Sequence, residues 1–200
     1  RLSFFEYLKN KYTSVEKLNS SWKTSYNSWQ QVDTITRVPE SAKEDLQTFD
    51  LKIIDLYYKT CREELKRYAP EKLYFGSRLF YPPSMPYWYP EDQSDSPIIK
   101  IASQYCDVVS INRYRFSTED LILPFGIDKP IIIGEFHFGA LDRGLPYAGC
   151  RVVADQNQRA ESYYHYVEGS LKNPQIIGTH WFQYTDMAYT GRAGGANAQV

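Results

Sequence analysis

The sequence predicts an α/β fold built from parallel βα units, and specifically a (β/α)8 TIM barrel of which this chain covers about strands five to eight. Three observations carry this. Helical patterns and short apolar runs alternate along the chain, ending in four strand-like runs; such alternation implies parallel strands with right-handed crossovers. Polar and aromatic residues follow these runs, as they do at the C-terminal mouth of a barrel. No glycine-rich phosphate loop follows any of them, whereas a doubly wound sheet concentrates its chemistry at one switch point.

The opening residues RLSFFEYLKNKY read as a charged helix and not as a signal peptide. Phe4, Phe5 and Leu8 share one face of that helix, with Ser3 as its cap. Val15 and Leu18 predict a short second helix, followed by a surface loop pinned by Trp22 and Trp29. Leu46, Phe49, Ile53, Leu56, Thr60 and Tyr68 recur at three- and four-residue steps, so Ser41–Tyr68 is a helix closed by Pro70. A strand is expected over Leu73–Phe75, ending in Gly76–Arg78. The stretch from Leu79 to Pro97 is rich in proline and aromatics, and so long a loop is expected to be functional.

Ile98–Ser103 supplies one or two helical turns. The run Asp107–Ile111 is the next buried strand, and it ends in Asn112, Arg113 and Tyr114. A short helix is expected over Thr118–Leu123. The pivotal strand follows: PIIIGEFHFG, Pro130–Gly139, has three isoleucines that suit burial on both faces. In the loop Ala140–Ala154, Asp142, Arg143, Tyr147 and Arg151 stand within reach of a ligand. Asp155 and Gln158 make a capping pair. Ala160, Tyr164, Val167 and Leu171 mark the face of the helix they open, and Asn173-Pro174 ends it. Gln175–Thr179 then leads into His180, Trp181, Phe182 and Gln183.

With 200 residues, 42% hydrophobic and 24% charged, the chain is long enough for a sizeable core in one domain. A net charge of −1, without a basic stripe, argues against a nucleic-acid partner. No apolar run approaches the ~20 residues of a membrane span. Cys61, Cys106 and Cys150 have unrelated spacings and suggest neither a disulfide framework nor a zinc site. The 18 Tyr, 10 Phe and 4 Trp offer flat faces suited to sugar rings, though cores use them too.

Glu135 follows a deeply apolar strand, where a carboxylate is either paired or employed. It is open to four readings: nucleophile, general acid or base, metal ligand, or satisfied structural group. Tyr114 could hydrogen-bond it, and Trp181 could lie under a sugar ring; both are equally at home in a core. Glu135, His137 and His180, with Asp186 in reserve, form a weak metal-ligand set. No G-x-S-x-G elbow supports serine nucleophile chemistry.

The segments KLYFGSR, DVVSINRY, PIIIGEFHFGALDRG and IIGTHWFQYTD, in this order, resemble strands five to eight of retaining glycoside hydrolases of the large (β/α)8 clan A. They are most like the agarase-type enzymes and their β-galactosidase relatives. YLKNKYTSVEKLNSSWKTSYNSW is similar to the segment those relatives carry after strand four. The resemblance implies that Glu135 is the catalytic nucleophile and Tyr114 its hydrogen-bonding partner. It places Trp181 beside the reacting sugar and lines the same subsite with Arg78, Asn112, His137 and His180. It also implies a β-linked galactan such as agarose as substrate, no cofactor, and a secreted or periplasmic setting. The non-catalytic alternative is a carbohydrate-binding barrel or pseudoenzyme.

Those enzymes carry their acid/base in an Asn-Glu pair, which this sequence lacks. A single domain over 1–200, truncated at both ends, is therefore expected. The rest of the barrel would come from residues outside this sequence or from another chain, and these 200 residues alone would be inactive.

Overall fold

The computed structural model describes residues 3–80, 97–144 and 147–185. Most of the proline-rich loop, Asp186 and the Gly/Ala-rich tail lie outside the described residues. The chain packs as two compact units, Arg1–Thr60 and Cys61–Val200.

The first unit is helical. It contains α1 (Phe4–Tyr12), α2 (Val15–Trp22), α3 (Trp29–Asp33) and the start of α4 (Lys43–Tyr68). Leu8, Leu18, Trp22, Val32 and Ala42 form its core. The expected loop around Trp29 is instead α3, because the Ser28 hydroxyl accepts the Gln31 N–H and caps a turn. The apolar stripe foreseen on α4 is only partly used. Phe49 is buried, whereas Ile53 and Leu56 are nearly half exposed. Among the described residues of this unit, one charge is buried. Asp45 is 3% exposed and accepts from Lys11 Nζ (2.5 Å), Tyr12 Oη (2.6 Å) and Trp22 Nε1 (2.7 Å).

Among the described residues, the second unit holds a four-stranded sheet with β1 (Leu79–Phe80), β2 (Val109–Asn112), β3 (Ile131–Phe136) and β4 (Ile176–Trp181). Its order is β1-β2-β3-β4, and every pairing is parallel. Two connections carry α5 (Pro97–Tyr105) and α6 (Gln156–Lys172). Ile99 of α5 and Tyr166 of α6 share one core with Val109, Ile111, Ile131, Ile133, Phe136 and Phe138. That face of the sheet is the helix-covered one.

Three sequence expectations shift. The segment Leu73–Phe75 forms no strand: the Asp107 carboxylate takes the Tyr74 N–H at 2.8 Å, and sheet pairing starts only at Leu79. Thr118–Leu123 is a turn, because Asn173 Nδ2 donates to the carbonyls of Thr118, Glu119 and Leu121. On α6 the inward face is Tyr166, Gly169 and Ser170, while Tyr164 and Leu171 are exposed at 62% and 82%. The capping pair is as expected, with Asp155 Oδ1 accepting the Gln158 N–H at 2.9 Å.

The register of β3 decides where Glu135 points. Ile133 pairs with Ile111 on one side and Thr179 on the other, yet the next pairs are Asn112↔Glu135 and Phe136↔Trp181. Both neighbours thus record one extra residue in β3 at Gly134. Without that bulge, Glu135 would share the face of Ile131 and Ile133 and enter the hydrophobic core. With it, Phe136 takes that face, and Glu135 turns to the opposite one beside Asn112.

Candidate active site

Glu135 sits at the C-terminal end of β3 with its side chain 14% exposed. Two donors hold its two oxygens. Arg78 Nη1 lies 2.9 Å from Oε1, and Tyr114 Oη donates to Oε2 at 2.7 Å. Tyr114 is 4% exposed, and burial first, then its bond to this carboxylate, pushes its phenol well above the usual tyrosine range. It is therefore a donor at any physiological pH. Charge-assisted bonds of this kind fix a carboxylate in one orientation.

Gly134 makes room for Arg78. A Cβ there would lie 2.5 Å from Arg78 Cδ and 2.9 Å from Asn112 Oδ1, so the arginine stem crosses the strand directly over the glycine. Arg78 Nη1 also donates to the Gly134 carbonyl at 3.3 Å. Asn112 is 4% exposed, and its Oδ1 meets no hydrogen-bond donor among the described residues. The structure thus brings together Arg78, Asn112, Tyr114 and Glu135, all at the C-terminal end of the sheet.

The remaining candidates lie differently. Trp181 shares a face with Phe136 through their register, so its indole joins the helix-side aromatic layer. It stacks edge-on against Phe136 (5.3 Å) and Tyr163 (5.5 Å), with the Arg159 guanidinium 5.4 Å from its ring. The next residue, Phe182, takes the other side, its ring 6.5 Å from His137 at 27°. The sequence reading names Phe182 at the strand's end but gives it no role in the site; strand alternation counted from Trp181 is the signal that singles it out. His180 is exposed near the end of β4.

His137 is buried at 3% exposure. Its Nε2 accepts the Cys150 N–H at 2.9 Å, and its Nδ1 faces the Phe182 carbonyl at 3.1 Å. Both ring nitrogens are therefore occupied by backbone, and burial pushes the imidazole down to about 4. A metal set of Glu135, His137 and His180 does not form, because neither His137 nitrogen has a lone pair to offer an ion. Among the described residues, no three His, Cys, Asp or Glu side chains are grouped to hold one. In the loop after β3, Asp142 accepts from the backbone and side chain of Gln156 at the start of α6. Arg151 donates to the Cys150 carbonyl at 3.0 Å.

The model of glycoside hydrolase family 42, described as beta-galactosidase, matches residues 1–119. The chain belongs to this family. That match includes Arg78, Asn112 and Tyr114 and stops before Glu135. This family 42 member is also 37% identical over 201 residues to beta-agarase B of Vibrio sp. (strain JT0107), an overlap of 96% of this chain and 20% of that protein. Beta-agarase A of the same organism is 34% identical, with 96% and 19% covered. Among solved structures it is similar to an agarase, AgWH50C, with a TM-score of 0.75 and 33% identity over 98% of this chain and 27% of that one. An exo-beta-agarase follows at a TM-score of 0.72 and 32% identity, covering 98% and 26%. The family 42 chain thus spans about a fifth of the length of the curated relatives it matches.

Proposed function

We propose that this chain supplies the nucleophile side of a retaining β-glycosidase that cleaves an agarose-like β-galactan. The observation that carries this reading is the Glu135 carboxylate, held by Arg78 and Tyr114 at the end of a buried strand. A retaining enzyme needs such a group fixed below the anomeric carbon, with a second carboxyl group about 5–5.5 Å away. Glu135 attacks that carbon while the second group, from residues outside this sequence, protonates the departing oxygen. Water then displaces Glu135 from the glycosyl–enzyme ester, giving its proton back to the second group. Asn112 offers its unfilled Oδ1 to a sugar hydroxyl, and His180 and Phe182 stand at the end of the adjacent strand.

The strand order supports a barrel. A doubly wound sheet reverses direction at a switch point, whereas these strands follow one another without reversal, as they do in a (β/α)8 barrel. Four strands do not close one, so the rest of the barrel comes from further residues or another chain. Similarity to agarases supports a polysaccharide substrate. No helix among the described residues is long and apolar enough to cross a membrane.

A mechanism-based fluorosugar tests the reading. In the full-length protein it should esterify Glu135, detectable as a mass shift on the peptide containing it. Glu135→Gln should lower turnover by at least about 10³-fold while sugar binding persists. Labelling of another residue, or near-normal turnover in that variant, overturns the assignment. Sugar binding without labelling or turnover would make the protein a carbohydrate-binding module instead.

A further inference from the structure

We propose that His137 is a positioning residue: it ties the loop after β3 and the end of β4 into one rigid backing for Tyr114, and so holds Glu135 on target. The inference rests on the nucleophile reading of Glu135 and assigns His137 no contact with substrate.

The geometry fixes both the orientation of the ring and its proton. Cys150 N–H can only donate, so the Nε2 it reaches at 2.9 Å must carry a lone pair. The proton therefore sits on Nδ1 and points at the Phe182 carbonyl, 3.1 Å away. An imidazolium would set a second donor against Cys150 N–H, so the arrangement holds only for the neutral ring. Burial favours the same form.

Three chain segments meet at this ring. Cys150 lies in the loop after β3, Phe182 follows β4, and Tyr114, just past β2, packs edge-on against the imidazole with centroids 5.1 Å apart. The loop itself is anchored. Gly139 N–H donates to the Arg151 carbonyl and Val153 N–H to the Gly139 carbonyl, each at 2.9 Å, while Asp142 is held by Gln156. Gly149, at φ +78°, lies so close to His137 that any Cβ there would collide with Nε2. The loop is thus seated on the ring, and the ring supports the tyrosine whose hydroxyl meets Glu135 at 2.7 Å. A displacement of about 1 Å at a reacting group costs on the order of 10² in rate, so a support of this kind should act on turnover.

The test compares four variants of the full-length protein, assayed for kcat and KM on an agarose oligosaccharide and for thermal unfolding. His137→Leu, similar in bulk but without polar atoms, should lower kcat about 10²-fold with KM within about twofold. His137→Gln can present a carbonyl to Cys150 N–H and should recover at least tenfold of that loss. Gly149→Ala leaves the imidazole intact yet displaces it, and should lower kcat in the same way. It also decides the matter if His137→Leu does not fold. A rise in KM at unchanged kcat would make His137 a substrate contact and overturn the proposal. Normal kinetics in both His137→Leu and Gly149→Ala would overturn it too, as would a glutamine variant no better than leucine. Glu135→Gln, run in parallel, separates the two ideas: if it stays active the nucleophile reading fails, and if it is inactive while His137→Leu is normal only the positioning role fails.

Discussion

Tyr114 donates its phenolic proton to Glu135 Oε2 at 2.7 Å across 21 residues of sequence, and its ring is buried beside His137 while it does so. The hydroxyl has no freedom to reorient, and the carboxylate it meets has its other oxygen on Arg78. Removing the hydroxyl alone is therefore a clean perturbation. A hydrogen bond to a charged group contributes about 1.5–3 kcal/mol, so Tyr114→Phe should lower kcat roughly 10- to 100-fold. Steady-state kinetics on the full-length protein checks this, with circular dichroism confirming an unchanged fold.

Gly134→Ala tests the crossing of Arg78 over β3. The new methyl carbon would stand 2.5 Å from Arg78 Cδ and 2.8 Å from Cγ, so the arginine must leave. Turnover should fall at least about tenfold through loss of the Arg78–Glu135 pair, while a Gly134→Ser variant should behave alike. A crystal structure of the alanine variant should show Arg78 displaced from Oε1.

Asp45 holds the helical unit together. Burial pushes its carboxyl up, but the donors from Lys11, Tyr12 and Trp22 outweigh burial and leave it below the usual aspartate range. Asp45→Ala strips the Trp22 indole N–H of its acceptor and should cost about 2–3 kcal/mol. Hydrogen exchange should speed up in α1 and α2 while β3 keeps its protection.

Asp107 makes the second unit acid-sensitive. The Tyr74 backbone N–H, together with Arg62 and Lys66, holds its carboxyl down at about 2. A folded pKa below the unfolded value of about 3.9 gives stability that is complete above pH ~4 and lost as pH falls toward 2. The contribution is on the order of 1–2 kcal/mol after solvent screening. Denaturant midpoints of wild type and Asp107→Asn should differ at pH 6 and converge near pH 2.

The buried strands and the carboxylate behind one of them were legible because an apolar run followed by Glu135 has few inexpensive explanations. Its direction was not. Counted by twos, Ile131, Ile133 and Glu135 belong to one face, and only the extra residue at Gly134 separates them. The same parity hides Phe182 behind the more conspicuous Trp181. On α6, tyrosines occupy both faces, so periodicity alone could not choose Tyr166 over Tyr164. The strand expected over Leu73–Phe75 failed for a local reason, since a side-chain carboxylate from Asp107 took the N–H that a ladder would need. The role of His137 depends on backbone groups of Cys150 and Phe182, which no side-chain pattern can announce.

The unreversed strand order has a consequence for synthesis. Arg78, Asn112 and Tyr114 all precede Glu135 in the chain, and each sits on the strand ends or turns laid down before β3. As the polypeptide leaves the ribosome, N-terminal segments can organise first. The carboxylate therefore emerges after its positive and hydroxylic partners and never has to wait for them. The backing from Cys150 and Phe182 comes later, so the charge is received first and aligned afterwards.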